Sequence, residues 1–215
     1  MIITIDGPAG VGKTTLAKNL ARKLGITYLD SGALYRAVTW KVLKEGIKNE
    51  EDVKKLVKDL KVKISIEDKM RIWMDGEEIT PQLRDPELTK EIWWVCRIKE
   101  VREWVNNILR EYSRNHDIVV EGRDMGTVVF PKAEYKIFLT ASLDERAKRR
   151  WEEWKKEGVN VNLEEVKKEI ELRDKRDSER EIAPLRKPPD AKVIDNSGLK
   201  QEETLEKALS FILKK

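Results

Sequence analysis

The stretch GPAGVGKT at residues 7–14 follows directly on a short apolar run, IITI at residues 2–5. It matches the pattern G-x-x-x-x-G-K-[ST], and the apolar residues after it predict a helix over residues 16–24. In this context the glycines let the backbone curl, so that its N–H groups and the positive end of the helix dipole form a cradle for an anion. The alternative, a plain tight turn rich in glycine, does not account for strand, loop and helix together. We therefore expect this loop to hold a nucleoside triphosphate, with Lys13 at the β- and γ-phosphates and the Thr14 hydroxyl on Mg²⁺.

Short apolar runs alternate with helical patterns along most of the chain. The predicted strands are IITI (2–5), ITYL (26–29), DIVV (117–120), YKIFL (135–139) and KVI (192–194). Such alternation is typical of a parallel sheet covered by helices on both faces. Residues 62–79 differ, because apolar and polar side chains alternate there around the turn sequences EDK and DGE. This pattern predicts a small antiparallel hairpin or sheet inserted into the α/β frame.

Two further stretches place polar side chains just beyond predicted strands. In LDSGALYR, residues 29–36, we expect Ser31 to cap a new helix, and an arginine at position 36 suits a second phosphate. In EGRDMGTVVF, residues 121–130, Glu121 stands where a carboxylate can lie near Mg²⁺ and its waters, and the Arg-Asp pair after it faces the same crevice. An ordinary helix start and a conventional turn are the alternatives for the two stretches.

The sequence ELRDKRDSER at residues 171–180 continues a helical pattern whose buried stripe turns from apolar to charged. Upstream, Asn162 and Glu165 match a capping box, and the apolar stripe consists of Leu163, Val166 and Ile170. The same spacing continues through Arg173, Asp177 and Arg180. One interpretation is a solvated helix surface with Arg173 and Asp177 as an i,i+4 pair. The other is a helix face that borders an anionic ligand.

Composition excludes several classes of protein. Charged residues make up 39% of the 215 residues, yet 44 Lys and Arg against 40 Asp and Glu leave a net charge of only +4, unlike a nucleic-acid-binding protein. The single cysteine, Cys96, excludes an internal disulfide, fits a reducing compartment and lies in an apolar run that favours the core. No apolar run approaches the length of a membrane span, and the chain opens directly with MIITIDG. We expect no signal peptide and a soluble, cytoplasmic protein.

With these motifs in place, the chain resembles the bacterial-type cytidylate kinases, a family of P-loop nucleoside monophosphate kinases. The matching stretches, in the family's order and spacing, are IDGPAGVGKTTLAK, YLDSGALYR, GRDMGTVVFP, KIFLTAS and RDKRDSEREIAPL. The P-loop alone is common to many families, whereas DSGALYR, GRDMGTVVF and RD-x-R-D-x-x-R together are specific to this one. The resemblance covers essentially the whole chain. It implies a P-loop NTPase fold, with a five-stranded parallel sheet flanked by helices, a small antiparallel insert and a helical lid.

The resemblance also implies an organisation and a reaction. The chain would form one kinase domain over residues 1–215, with a core of residues 1–30, 116–142 and 181–215, a monophosphate-binding region at 31–115 that carries the insert, and a lid at 143–180. The implied reaction moves the γ-phosphoryl group of ATP to CMP or dCMP, giving ADP and CDP or dCDP, with Mg²⁺ as cofactor. The implied partners are small nucleotides, not nucleic acid or a membrane, and the expected state is a monomer.

By the same resemblance, the site residues divide by ligand. Those that bind ATP are Gly7, Pro8, Ala9, Gly10, Val11, Gly12, Lys13, Thr14, Thr15, Arg149 and Arg150. Those that bind CMP are Ser31, Tyr35, Arg36, Arg102, Arg123, Asp124, Arg173, Asp177 and Arg180. Lys13, Arg123, Arg173 and Arg180 are catalytic through the charge they place around the transferring phosphoryl group. Thr14 binds Mg²⁺, and Glu121 acts on the ion through water.

The cytosine base is implied to be read by two charged side chains. Asp124 accepts a hydrogen bond from the N4 amino group, and Arg102 donates to the N3 and O2 acceptors. Uracil reverses two of these roles, because it sets its O4 acceptor against the carboxylate and its N3–H donor against the guanidinium, so buried charges would be left unpaired. For Arg102 the alternative is a surface arginine whose stem covers an apolar stripe.

Two positions depart from the family pattern. A serine that also touches cytosine aligns with Trp93, which lacks a hydroxyl and would stack on the base or, like Trp94, pack as a core aromatic. Thr14 stands where many members have glycine, and it restores a hydroxyl for the metal. In the lid, Arg146 joins Arg149 and Arg150 as a candidate clamp on the ATP phosphates, with solvated charge as the alternative.

Three other functions remain open on sequence grounds. The nearest is a monophosphate kinase of the same fold with UMP/CMP or AMP specificity. A P-loop switch or nucleic-acid-stimulated ATPase belongs to a different class, and the chain lacks the N-K-x-D motif of a guanine reader. A non-catalytic binding module is hard to reconcile with Lys13 and the acceptor arginines.

Overall fold

The computed structural model describes residues 1–66 and 70–214, and within them strands and helices alternate. The strands are β1 (Ile2–Asp6), β2 (Thr27–Asp30), β3 (Val62–Ile66), β4 (Met70–Met74), β5 (Glu77–Glu78), β6 (Ile118–Gly122), β7 (Tyr135–Thr140) and β8 (Lys192–Asp195). The helices are α1 (Lys13–Leu24), α2 (Ser31–Lys44), α3 (Glu50–Asp59), α4 (Pro86–Val95), α5 (Lys99–Ser113), α6 (Leu143–Lys156), α7 (Leu163–Glu179) and α8 (Gln201–Leu213). A 3₁₀ turn at Pro81–Arg84 and a π-helical turn at Met125–Val129 complete the regular structure.

The main sheet is five-stranded, in the order β2-β6-β1-β7-β8. The central strand β1 pairs in parallel with β6 on one side and β7 on the other, so that Ile5 lies opposite both Glu121 and Ile137. Ile3 and Ile5 are completely buried, as expected for a strand covered on both faces. This sheet confirms the α/β fold class predicted from the alternating pattern.

The carboxyl ends of the strands carry the polar loops. The glycine-rich loop follows β1, Arg123 follows β6, and Asn196 follows β8. Because parallel strands end at the same edge of a sheet, this arrangement collects polar side chains at one edge.

The chain divides into two compact units. The first unit comprises Met1–Ile26 and Ile118–Lys215, and the second comprises Thr27–Asp117. In the second unit, β3, β4 and β5 form a three-stranded antiparallel sheet, which confirms the predicted insert. The EDK turn predicted at residues 67–69 lies outside the described residues, whereas DGE follows β4 as predicted, with Asp75 and Gly76 at positive φ.

Four local predictions differ from the structure. Helix α1 begins at Lys13, three residues before the predicted start, because Gly12 caps it in the left-handed region with φ 93°. Asp30 caps α2, since its Oδ1 accepts a hydrogen bond from the Ala33 N–H at 3.0 Å, so Ser31 is the first helical residue and not the cap. Leu163, the first residue of α7, is 40% exposed, and only the later apolar residues of its stripe are buried. Cys96 is half-buried at the end of α4, outside the fully buried core.

The capping box at the start of α7 is confirmed. The Asn162 Oδ1 accepts from the Glu165 N–H at 2.9 Å, and the Glu165 Oε2 accepts from the Asn162 N–H at 3.0 Å. Among residues 1–66 and 70–214, the helices lack the combination of length and apolar character needed to cross a membrane.

Candidate active site

The glycine-rich loop joins β1 to α1 and buries its lysine. Lys13 is only 6% exposed, and its Nζ donates a hydrogen bond to the Pro8 carbonyl at 2.7 Å. The left-handed backbone at Gly12 turns the chain into the helix, where the Leu16 N–H donates to the Gly12 carbonyl at 3.1 Å. The Lys13 side chain thus reaches back across the glycine-rich loop, whose backbone N–H groups were predicted to hold phosphates.

Lys13 carries its charge in an unfavourable environment. Burial lowers the pKa of its ammonium well below the usual value, and the guanidinium groups of Arg123 and Arg173 lower this pKa further. Glu121 and Asp177 act in the opposite direction. A cluster of cations around a buried ammonium is suited to bind a polyanion, which neutralises them together.

Thr14 and Glu121 form the part of the site that suits a divalent cation. The Thr14 Oγ1 donates a hydrogen bond to the Glu121 Oε1 at 2.5 Å, and Glu121 is buried at the end of β6. A hydroxyl and a carboxylate are oxygen ligands of the kind Mg²⁺ takes, usually together with waters and substrate phosphates. The described residues contain no group of three or more His, Cys, Asp or Glu arranged to hold a metal ion.

The turn after β6 is tied by two ion pairs to α7 and to Arg180, the extended residue that directly follows this helix. The Arg123 Nε donates to the Asp177 Oδ2 at 2.7 Å, and the Arg180 Nη2 donates to the Asp124 Oδ1 at 3.3 Å. Arg180 also lies 3.9 Å from Asp177. The charged continuation of the α7 stripe therefore faces other charged groups of the first unit and is not a solvated surface.

The electrostatics of this cluster keep its carboxylate ionised. Burial alone would raise the pKa of Asp177, but the guanidinium groups of Arg123, Arg173 and Arg180 outweigh it and lower the pKa below the usual range. Burial also opposes the charge of Arg123, and there the neighbouring Asp177 raises the pKa. These arginines and this aspartate hold one another in place through their opposite charges.

A second contact joins the glycine-rich loop to α6 and α7. The Arg146 guanidinium donates to the Ala141 and Ala9 carbonyls at 3.1 and 3.0 Å and to the Asp174 Oδ2 at 2.5 Å. The Asp174 Oδ1 accepts from the Ala9 N–H at 3.0 Å. The Ala9 methyl group packs with Ala147, Val166 and Ile170 in a buried cluster. Arg146, a candidate phosphate clamp on sequence grounds, is thus engaged with the loop backbone and with Asp174.

The other two candidate clamp residues lie on the same helix, α6. Arg149 donates from Nη2 and Nη1 to the backbone and side-chain oxygens of Asn196, at 2.8 and 3.1 Å. Asn196 in turn donates from Nδ2 to the Val11 carbonyl at 3.0 Å, so this contact reaches the glycine-rich loop. Arg150 donates to Glu153 at 3.2 Å and lies over the Trp154 ring, with its Cζ 5.7 Å from the ring centroid.

In the second unit, the predicted acceptor residues belong to α2 and α5. Arg102 is 3% exposed and donates from Nη1 to the Cys96 carbonyl at 2.9 Å, with its Cζ 5.4 Å from the centroid of the Tyr35 ring. The alternative of a snorkelling surface arginine is therefore wrong. Ser31 and Tyr35 are buried, and Arg36 is half-buried.

Trp93 is 42% exposed, so its interpretation as a core aromatic is wrong. The Arg97 Cζ lies 5.6 Å from its ring centroid. Trp94 is half-buried, and its indole N–H donates to Glu91 at 2.7 Å.

Three polar residues of the first unit were missed by sequence reasoning. Asp6 ends β1, Asn196 follows β8, and Asp174 lies next to Arg173 on α7. The first two stand at the carboxyl ends of parallel strands, which is a usable signal for a site. Asp174 lies one helical turn after Ile170, so the helical period that identified Arg173 also includes it.

Comparison with known proteins adds sequence relatives along the whole chain. The family model described as cytidylate kinase matches residues 3–214. The chain is 46% identical over 212 residues to a cytidylate kinase of Caldanaerobacter subterraneus subsp. tengcongensis, covering 99% of this chain and 94% of the relative. It is 47% identical over 218 residues to a cytidylate kinase of Thermosipho africanus, covering 99% of this chain and 95% of the relative.

Similar solved structures support the fold alone. An uncharacterized protein from Eubacterium ventriosum aligns with a TM-score of 0.58 and 14% identity, over 100% of this chain and 99% of the other. A gluconokinase from Sinorhizobium meliloti aligns with a TM-score of 0.50 and 14% identity, over 99% of this chain and 91% of the other.

Proposed function

The chain belongs to the cytidylate kinase family, and from this premise we propose how its residues bind and align the two nucleotides. It is an ATP-dependent phosphotransferase that passes a phosphoryl group to cytidylate. The family membership confirms the resemblance carried by the motifs. We propose that dCMP is an acceptor as well as CMP.

One observation carries the assignment of roles. The pKa of the buried Lys13 ammonium is shifted by the neighbouring charges of Glu121, Arg123, Arg173 and Asp177. The triphosphate-binding loop and the predicted acceptor arginines therefore lie in one electrostatic environment. A phosphoryl group that moves between two nucleotides needs positive charge on both sides of its path. This proximity supports a transferase more than a triphosphate-binding switch.

On the donor side, the loop from Gly7 to Thr15 binds the ATP phosphates through its N–H groups, and Lys13 leaves the Pro8 carbonyl to contact the β- and γ-phosphates. Arg149 and Arg150 bind ATP from α6. Thr14 would hold Mg²⁺ directly, with Glu121 acting through a water ligand. The bound ion would neutralise the charge that develops on the phosphate oxygens.

On the acceptor side, the CMP phosphate takes the place of carboxylates as the partner of several arginines. In the first unit, Arg123, Arg173 and Arg180 bind this phosphate, and Asp177 accepts hydrogen bonds from the ribose hydroxyls. The ion pair between Arg123 and Asp177 holds both side chains in place before the ligand arrives. In the second unit, Ser31, Tyr35 and Arg36 bind the acceptor.

The base is read by Asp124 and Arg102. Asp124 is 2% exposed and Arg102 is 3% exposed, so both charges act where water does not compete for their hydrogen bonds. A base that presented a donor to Arg102 or an acceptor to Asp124 would leave a buried charge unpaired, which is the strongest way to reject a near-isostere.

Transfer needs no strong general base, because the attacking oxygen of the acceptor phosphate is already ionised. The residues accelerate the reaction by holding donor and acceptor in line and by stabilising charge on the transferring phosphoryl group. Lys13, Arg123, Arg173 and Arg180 supply the positive charge.

We propose that residues 143–180 act as a lid that excludes water, which would otherwise take the acceptor's place and hydrolyse ATP. Residues 31–115 act as the monophosphate-binding region.

The test is ADP formation from magnesium-ATP with CMP, dCMP, UMP and AMP as separate acceptors. We expect fast turnover with CMP and dCMP and slow turnover with the other two. Comparable rates with UMP or AMP would contradict the roles of Asp124 and Arg102 and show that Trp93 belongs to a different base pocket. Without any acceptor, the rate of ADP formation should be close to zero, and a fast rate under these conditions would favour an ATPase.

The remaining expectations belong to the same proposal. We propose that the enzyme is a cytoplasmic monomer with small nucleotides as its partners. A mass of about 25 kDa in solution by light scattering, matching the 25.1 kDa chain, would support the monomer, and a doubled mass would contradict it.

A further inference from the structure

Asp6, the last residue of β1, is a carboxylate with no exposure to solvent. Both of its oxygens accept backbone hydrogen bonds from the same turn. The Met125 N–H donates to Oδ1 at 2.9 Å, and the Gly126 N–H donates to Oδ2 at 2.7 Å. The Asp6 carboxylate therefore binds two consecutive backbone N–H groups that are about 120 residues away in the chain.

These two amides begin the π-helical turn that follows Asp124. The Asp124 carbonyl accepts from the Val128 and Val129 N–H groups at 2.9 and 3.1 Å, so Asp124 belongs to the turn through its backbone. Its own side chain meets Arg180. The position of the Asp124 carboxylate thus depends on how the turn packs against β1.

The turn packs against β1 with no space for a side chain at Gly126. A Cβ there would lie 2.9 Å from the Thr4 Oγ1, 3.0 Å from the Pro188 Cγ and 3.3 Å from the Asp6 Oδ2. Real Cβ atoms essentially never lie within 3.0 Å of another atom, so an added methyl group would force the turn or its neighbours to shift. Asp6 holds the turn from one side, and the missing side chain allows the approach.

Holding the turn with a buried carboxylate carries a desolvation penalty. Burial, the main cause, raises the pKa of Asp6 to about 6 although the Met125 and Gly126 N–H groups and Lys13 favour the charged form. An apolar residue at this position would avoid that penalty but would leave two buried N–H groups without an acceptor. Neither of the roles derived for ATP or CMP uses Asp6 directly.

We propose that Asp6 is a positioning residue for base selection: it fixes the Met125 and Gly126 amides and so places the Asp124 carboxylate for the cytosine amino group. This inference rests on the proposed function of Asp124. Asparagine at position 6 cannot substitute, because its amide oxygen accepts from one N–H while its amide nitrogen presents a donor to the other.

The test compares Asp6→Asn with the wild type in steady-state kinetics with CMP, UMP and ATP. We expect KM for CMP to rise about tenfold and the preference for CMP over UMP to fall by a similar factor, as when one buried hydrogen bond is misplaced. KM for ATP should change less than about twofold. Equal losses for CMP, UMP and ATP would reduce Asp6 to a structural residue and overturn the inference.

Thr4→Val is the matched control. Thr4 lies on the same strand and is also fully buried. Its Oγ1 is the atom nearest to the place where a Cβ on residue 126 would stand, yet it forms no hydrogen bond within the described residues. Valine keeps its shape and leaves both Asp6 hydrogen bonds in place. Kinetic constants close to wild type are expected, and a selective loss for CMP would show that general packing, not the carboxylate, sets the base preference.

Two further variants separate the possible failures. Asp124→Ala measures the parent proposal, because an unchanged CMP-to-UMP preference there removes Asp124 from base selection. If Asp124→Ala lowers the preference and Asp6→Asn does not, the inference on Asp6 alone is overturned. If Asp6→Asn fails to fold, Gly126→Ala is the second variant, because it displaces the same turn without changing the Asp6 carboxylate. It should produce the same selective loss for CMP.

Discussion

Lys13 is a buried ammonium that the protein surrounds with cations as well as anions. Burial and the two guanidinium groups of Arg123 and Arg173 lower its pKa, so the free enzyme holds this charge at a cost. The same arrangement becomes favourable once a polyphosphate lies among the cations. At this residue, stability of the free protein and affinity for the nucleotide oppose each other.

The Lys13→Ala variant should therefore lose activity without losing its fold. We expect kcat to fall on the order of 10³-fold, because a positive charge aimed at the transferring phosphoryl group is removed. Thermal unfolding should occur at the wild-type temperature or above, since the repulsion with the two arginines is relieved. Lys18→Ala, an exposed lysine on the same helix, is the control and should keep kcat. Full activity of Lys13→Ala would contradict the phosphate-binding role.

The Asp6 carboxyl should leave a signature in the pH dependence of stability. Its pKa is raised from 3.8 to about 6 by burial, so the folded protein binds this proton more tightly than the unfolded chain does. The stability that the protonated group contributes is complete below pH 4 and is lost as the pH rises to about 6, by roughly 3 kcal/mol.

Urea unfolding of wild type and Asp6→Asn at several pH values measures this contribution. The free energy of unfolding of the wild type, relative to the variant, should decrease between pH 4 and pH 6 and stay level above pH 7. Thr4→Val should follow the wild type at every pH. A constant difference between wild type and Asp6→Asn would mean that the carboxyl titrates normally.

At the scale of elements, α6 and α7 meet the glycine-rich loop through one mostly buried ion pair. Arg146 and Asp174 have side chains only 9% and 21% exposed, and both also bind the Ala9 backbone. Removing one partner leaves the other charge unpaired in a place with little water. The exposed pair Lys167–Asp144 joins the same two helices at 2.6 Å, with Asp144 80% exposed.

Asp174→Ala should therefore destabilise the protein by on the order of 3 kcal/mol. Asp144→Ala, which breaks the exposed pair between the same helices, should change the unfolding midpoint very little because solvent screens that pair. Denaturant unfolding of the two variants gives the comparison. Equal effects of the two substitutions would show that the Arg146–Asp174 pair contributes no more than a surface contact.

Helix α7 also shows what a sequence pattern can and cannot predict. Its start was predicted to the residue, because a capping box is a local signal within four residues. Its apolar stripe was right at Val166 and Ile170 and wrong at Leu163, since periodicity identifies a face but not how far along the helix a partner extends. The partner of Asp174 was missed, because Ala9 lies 165 residues earlier and no local pattern connects them.

The same limit applies to the whole molecule. Strands and motifs were identifiable because each depends on neighbouring residues, and a specific combination of motifs led to the correct family. The contact of Asp6 with the Met125–Gly126 turn depends on the register of β1 against β6, and register appears only in the folded chain. The buried state of Arg102 was likewise open, because an arginine beside an apolar stripe is compatible with surface and core positions.

Ligand binding should divide the chain into regions that respond differently. Hydrogen exchange with magnesium-ATP alone should protect the amides of residues 7–15, where the backbone holds the phosphates. Adding CMP should protect the first two turns of α2, which contain Ser31 and Arg36, and the first two turns of α5, which contain Arg102. If CMP leaves residues 27–117 unprotected, the acceptor roles proposed for the second unit are wrong.

The central position of β1 has a consequence for the making of this protein on the ribosome. Its two neighbours, β6 and β7, begin at residues 118 and 135, so β1 is synthesised well before either of its partners. At about 5–20 residues per second, that delay is roughly 6–20 s. Meanwhile the apolar IITI segment stays exposed to chaperones and to aggregation, so slow stretches of translation before residue 118 should lower the yield of active enzyme.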